Sequence, residues 1–149
     1  MTQAQLVGLK ELRRELRKLD NPRSWTRELA TVHREVARDV AGWARSEAAS
    51  LGGPARHFAD AVRGYGSAPA ARVGLSSAGK GQRNYGARGA FWGSKRFARF
   101  EPWVGNTYEV GVRGEGPYAL NDAIADHLDD VIETYSEGID RLMRRAFPD

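Results

Sequence analysis

The final third of the chain constrains the fold most. Apolar residues recur at Leu120, Ile124, Leu128, Val131, Tyr135, Ile139 and Leu142, in steps of three and four that keep one stripe on one side of a helix. The spacing predicts a single long amphipathic helix over 117–149. Such a helix spans about 45 Å at a rise of about 1.5 Å per residue. That is more than a small domain needs to cover its own core, so part of the stripe is expected to pack on a neighbouring subunit. The preceding stretch cannot form a core by itself, because 12 of the 17 glycines lie between Gly64 and Gly116.

Charge divides the chain in the same place. Residues 61–100 carry eight basic side chains and no acidic one, whereas residues 101–149 carry four basic and 11 acidic. A cation followed by an anion admits two readings: a solvated loop beside a solvated helix face, or head-to-tail docking of the basic segment of one copy on the acidic helix of the next. Repeated around an axis, contacts of the second kind close into a ring.

The first third reads as helical. Leu6, Leu9, Leu12, Leu16 and Leu19 form one stripe, and Asn21-Pro22 ends it, since proline disfavours a helical residue before it and suits the first turn of the next helix. A second helix follows on Trp25, Leu29, Val32, Val36, Val40 and Trp43, and Gly52-Gly53 stops it. Pro54 opens a shorter helix with Phe58 and Val62 on one face, which gives way at Gly64-Tyr65-Gly66. Ala71–Leu75 and Thr107–Arg113 alternate as strands do and are expected to pair. Ser76–Gly89 between them is polar and glycine-rich, and is expected to order only on contact with a partner. The aromatic run Phe91, Trp92, Phe97, Phe100 and Trp103 is interleaved with Lys95, Arg96 and Arg99. It suits either a core beneath the sheet or a partner surface. The whole is one α+β domain: helices over 1–63, a glycine-rich basic strand and loop region over 64–116 with a small antiparallel sheet, and a long C-terminal helix.

Little in the sequence suggests catalysis. Absence of cysteine removes disulfides, thiolate metal sites and cysteine nucleophiles together. His33, His57 and His127 lie on separate predicted helices without metal-ligand spacing, and no serine sits in a nucleophile elbow. Gly74 to Lys80 matches the glycine and Gly-Lys spacing of a phosphate-binding loop, but Gly81 stands where the magnesium-holding hydroxyl belongs, and no good helix start follows. The carboxylates 122, 126, 129, 133, 137 and 140 form a stripe, yet a hard cation needs ligands converging from several directions. No catalytic, cofactor or metal residue is assigned, and no membrane span or apolar leader is expected, which points to synthesis in a cytoplasm.

Several segments taken in order carry a family resemblance: Gly8-Leu9-Lys10-Glu11-Leu12; the long helix ending before Gly53-Pro54; Arg72-Val73-Gly74; Phe97-Ala98-Arg99-Phe100-Glu101; and, most specific, Pro117-Tyr118-Ala119-Leu120-Asn121-Asp122-Ala123 leading into the last helix. The chain resembles the tail-completion or neck proteins of long-tailed bacteriophages. It departs from them where Gly52-Gly53-Pro54-Ala55 replaces a Thr-Gly-x-Leu turn and where Glu101-Pro102-Trp103 reduces a Glu-Phe-Gly-Thr-like element.

The resemblance implies an α+β fold, no enzymatic activity, no cofactor and a place in the virion at the head–tail junction or tail. It implies a homo-oligomeric ring of six or twelve copies around the DNA channel. Neighbours would be stopper, adaptor, terminator or tail-tube proteins, with nonspecific contact to genomic DNA. The alternative is a nonspecific nucleic-acid-binding module using residues 61–100, since phosphate contacts need only cationic reach. Candidate interface residues are Lys80, Arg83, Arg88, Phe91, Trp92, Lys95 and Arg96 on the basic side, and Asp122, Asp126, Asp129 and Glu133 on the acidic side.

Overall fold

The computed structural model describes residues 9–76 and 86–148. Everything is arranged along one long helix. Helix α1 (Leu9–Arg17) turns at Asn21, which holds a left-handed conformation (φ 57°, ψ 54°), into α2 (Pro22–Leu51), with Pro22 in its first turn as proline's fixed φ favours. Gly52, at φ 72°, stops α2 where a residue with a Cβ would be strained. The short helix α3 (Gly53–His57) and a 3₁₀ turn (Ala59–Ala61) reverse the chain into strand β1 (Val62–Gly66), which pairs antiparallel with β2 (Ala71–Leu75) in the register Val62 to Leu75 and Gly66 to Ala71. Helix α4 (Ala87–Trp92), α5 (Leu120–Asp126) and α6 (Leu128–Ala146) complete the set.

Two apolar clusters sit at the two ends of α2. Near its N-terminus, Leu16 and Leu29 bury against Leu142 and Ala146 of α6, with half-buried Leu9, Leu12, Leu19 and Ile139 around them. Towards its C-terminus the contacts come from alanines. Ala41, Ala44 and Ala48 share one face at steps of three and four and pack with Val62, Phe91 and Leu120. Small side chains there let the sheet lie directly on the helix: a Cβ on Gly64 would fall into the backbone of Ala37, and one on Gly66 into that of Arg34. Phe91 is the largest fully buried side chain of this half, and its truncation to alanine is expected to cost about 3–5 kcal/mol.

Three sequence expectations are corrected. The C-terminal stretch contains the expected long helix in α6, but α5 precedes it as a separate helix, the break falling at His127 (φ −118°, ψ 24°), whose ring stacks on Trp43 at 4.2 Å. One non-helical residue barely rotates the stripe, so periodicity runs through it. The expected partner of Ala71–Leu75 is Thr107–Arg113; the observed partner is Val62–Gly66, and 107–113 forms turns instead. The helix opened by Pro54 ends at His57, and Val62 and Tyr65 lie in a strand.

Candidate functional site

Two surfaces of opposite character stand out. The first is the loop after α4. Gly93 and Pro102 meet at its base, where a Cβ on Gly93 would run into the Pro102 carbonyl. The Ser94 N–H donates to the Glu101 carbonyl at 2.9 Å, and the Ser94 hydroxyl oxygen accepts from the N–H groups of Arg96 and Phe97, both at 3.1 Å. The Tyr118 hydroxyl donates to the Pro102 carbonyl at 2.7 Å and ties the base to the start of α5. Burial and the nearby Glu101 carboxylate push the Tyr118 phenol up, so it stays a donor. The loop is thus closed by its own hydrogen bonds and carries Phe97 outward, 53% exposed. Lys95, Arg96 and Arg99 flank it, Lys95 lying 4.1 Å over the Trp103 ring and Arg99 5.0 Å over Phe100. Aromatic contact of this kind orders the cations without neutralising them.

The second surface runs along α6. Gly138, Leu142 and Ala146 face α2 and are buried. Ion pairs close that seam, Arg145 with Glu28 at 2.9 Å and Arg141 with Glu35 at 3.4 Å. On the neighbouring edge Leu128, Ile132, Met143 and Phe147 remain exposed, Ile132 most at 55%. Beyond them Asp129, Glu133, Glu137 and Asp140 are exposed as well. The helix therefore shows an apolar strip, exposed at Leu128 and Ile132 in its first turns and at Met143 and Phe147 in its last, with carboxylates along its outer side and Arg144 exposed beside its end. Doublets in the sequence signal it: Val131-Ile132, Leu142-Met143 and Ala146-Phe147 each add an apolar residue one position past the stripe, wider than a single packing partner covers.

The eleven candidate interface residues separate accordingly. Lys80 and Arg83 lie outside the described residues. Arg88, Lys95 and Arg96 are exposed, and Trp92 is half-buried. Phe91 is core, fully enclosed, and is withdrawn as an interface residue. Asp129 and Glu133 are exposed on α6, whereas Asp122 and Asp126 are engaged within the chain. Asp122 accepts the Gly114 N–H at 2.8 Å, and Asp126 pairs with Arg113, which also reaches Glu47 at 3.7 Å. Those contacts take Asp122 and Asp126 out of the six-residue acidic stripe and leave its α6 members as the rim.

Sequence reasoning overlooked the residue that organises this junction. Asn121 is buried, and its Oδ1 accepts the Gly111 N–H at 2.9 Å while the two hydrogens of its Nδ2 are shared among the carbonyls of Glu109, Val112 and Glu115, which lie at 2.9–3.0 Å. One side chain thereby satisfies the backbone of a segment that would otherwise need a strand partner. His33 is the other buried polar group. Its Nδ1 donates to the Ser67 carbonyl at 2.6 Å, and the Tyr135 ring meets it in a T-shaped contact with the centroids 5.4 Å apart. Burial holds its pKa below the usual imidazole value, and burial pushes the Tyr135 phenol up to about 12. His57 lies at the end of α3, and His127 contacts Asp130 at 3.2 Å. Among the described residues no group of three or more His, Asp or Glu is placed to hold a metal ion. Among them, too, no helix is long and apolar enough to cross a membrane.

These features define an α+β chain with two exposed surfaces of opposite character. No family model, curated protein or solved structure matches it.

Proposed function

We propose that the protein is a structural subunit of a tailed bacteriophage that joins others of its kind in a ring at the head–tail junction or tail end. The observation that carries this reading is the α6 strip. Four large apolar side chains stand exposed on a folded domain, rimmed by carboxylates, while a hydrogen-bonded loop of cations and aromatics projects elsewhere. Exposed apolar surface with a polar rim marks a protein-contact site. The resemblance of Pro117–Ala123 and the segments before it to phage neck proteins supplies the biological setting. In that setting the subunit contributes shape and contacts around the DNA channel, with neighbouring layers of neck or tail protein above and below, and carries out no chemical step.

A second reading, nonspecific nucleic-acid binding, draws on the exposed Lys95, Arg96 and Arg99 beside Phe97 and Trp103. Native mass spectrometry over a concentration series at low salt separates the two. Discrete species of six or twelve copies are expected for the ring subunit. A strict monomer that binds duplex DNA, with affinity falling steeply as salt rises, would replace the first reading with the second.

A further inference from the structure

The two surfaces fit each other. We infer that the Phe97 loop of one copy docks on the exposed edge of α6 in the next, with Phe97 seated on the apolar strip around Ile132 and its flanking cations against the carboxylate rim. This inference rests on the proposed assembly role and specifies the contact that produces it.

Chemistry identifies the occupant. The strip needs an apolar partner bordered by positive charge, since Asp129, Glu133 and Asp140 rim it and are exposed. The loop supplies this with Phe97 at its centre and Lys95, Arg96 and Arg99 within two residues of it. Complementary potential fixes which surfaces meet, and an aromatic anchor in an apolar seat supplies most of the contact energy. The loop's internal hydrogen bonds through Ser94 mean that little ordering entropy is lost on docking.

Geometry then makes the contact intermolecular. Helix α6 runs antiparallel to α2, with His127 beside Trp43, Gly138 on Val32 and Arg145 on Glu28, so Ile132 lies beside the stretch of α2 between Val32 and Trp43. Helix α4 belongs to the cluster built on Ala41, Ala44 and Ala48, and Tyr118 ties the loop that follows it to the start of α5. Phe97 and Ile132 are both more than half exposed in the folded chain, so neither covers the other within one copy and the contact is left for a second; made in one direction around an axis, it closes into a ring.

Two variants of the full chain test this, F97D and I132D, at positions more than half exposed in the folded subunit. Circular dichroism checks that they fold, and F97S and I132S serve if they do not. The wild type is expected to form multi-copy species. Each variant alone should be monomeric, with subunit affinity weakened by about 30-fold or more, as for loss of an interface anchor. A mixture should give a one-to-one dimer and nothing larger, because only the loop of the I132D chain and the α6 of the F97D chain remain able to meet. Raising salt from about 50 to about 500 mM should weaken wild-type association. Wild-type assemblies that persist in both variants would overturn the docking contact and leave the ring reading standing. Monomeric variants that stay monomeric when mixed would also overturn it, since the two surfaces would then have other partners. A wild type that stays monomeric throughout would remove the docking contact and the self-assembly reading together.

Discussion

Gly138 of α6 sits against Val32 of α2 so closely that a Cβ added to it would lie 2.7 Å from a Val32 methyl. The absent side chain lets the two helices approach, and it thereby sets how α6 presents its outer edge. In an exposed helix interior glycine to alanine stabilises by about 0.5–1 kcal/mol. Here the sign should reverse. Gly138→Ala should destabilise by about 1–3 kcal/mol through overpacking against a buried, branched side chain. Adding Val32→Ala to the same chain should recover part of the loss. Urea midpoints at unchanged slope would measure both, and a Gly138→Ala protein more stable than wild type would show that the helices can move apart freely.

Asn121 should be the most sensitive polar position. Asn121→Ala leaves one N–H and three carbonyls of the 109–115 turns without their partner, a loss of about 2–4 kcal/mol. Asn121→Asp should be worse near neutral pH, because a carboxylate oxygen would face three carbonyl oxygens. That crowding raises the folded-state pKa of the new carboxyl. The native state then binds the extra proton, and stability should partly return as pH falls. Thermal melts and exchange of the Gly111 amide would report it, and an alanine variant melting with the wild type would mean that the turns are held by other contacts.

Glycines of the hairpin should differ sharply. Gly64 faces the Ala37 backbone, which cannot yield as a side-chain tip can, so Gly64→Ala should lift the sheet from α2 and cost about 3 kcal/mol or more. Gly74, in the same sheet, has only the Tyr65 ring near the place a methyl would take, at 3.8 Å, and Gly74→Ala should be tolerated. Denaturation of the two variants side by side would settle whether close approach, rather than strand propensity, places glycine in β1.

Those positions also show what the sequence made legible. The α1–α2 boundary could be read because Asn21-Pro22 acts through its own dihedral restrictions, and Gly52-Gly53 ends α2 for the same local reason. The Gly64-Tyr65-Gly66 triplet reads as the end of a helix, yet it is a strand, since its glycines answer to a helix backbone distant in sequence. Thr107–Arg113 alternates like a strand, but its backbone bonds to the Asn121 side chain, which no periodicity reveals. Of the candidate interface, the exposed cations were legible from composition alone. Phe91 and Phe97, six residues apart in one aromatic run, could not be sorted into core and surface until the turn at Gly93 set α4 apart from the loop.

The last prediction concerns pH, through His33. This ring is fully enclosed; its Nδ1 carries the hydrogen donated to Ser67, and its Nε2 meets no hydrogen-bond partner among the described residues. A second proton would place charge at Nε2 inside this enclosure, with Arg13 near enough to add repulsion. Burial is the main cause that lowers the folded-state pKa; the bond to Ser67 opposes it, and Arg13 reinforces it. The unfolded chain titrates near the ordinary value of 6.5. Between that value and the lowered native one, the unfolded state binds more protons than the native state. Stability from this group is therefore complete above 6.5 and is lost as pH falls below it, by at most about 1.4 kcal/mol per pH unit, levelling off below the native pKa. His33→Phe keeps the aromatic contact and cannot be protonated. It should cost about 1 kcal/mol at about pH 8, from the lost hydrogen bond, and should fall less steeply than wild type on acidification to about pH 5.5. Subtracting the two urea-unfolding series removes every contribution that the two proteins share. Parallel curves for the two proteins would show that His33 is not held neutral by its burial.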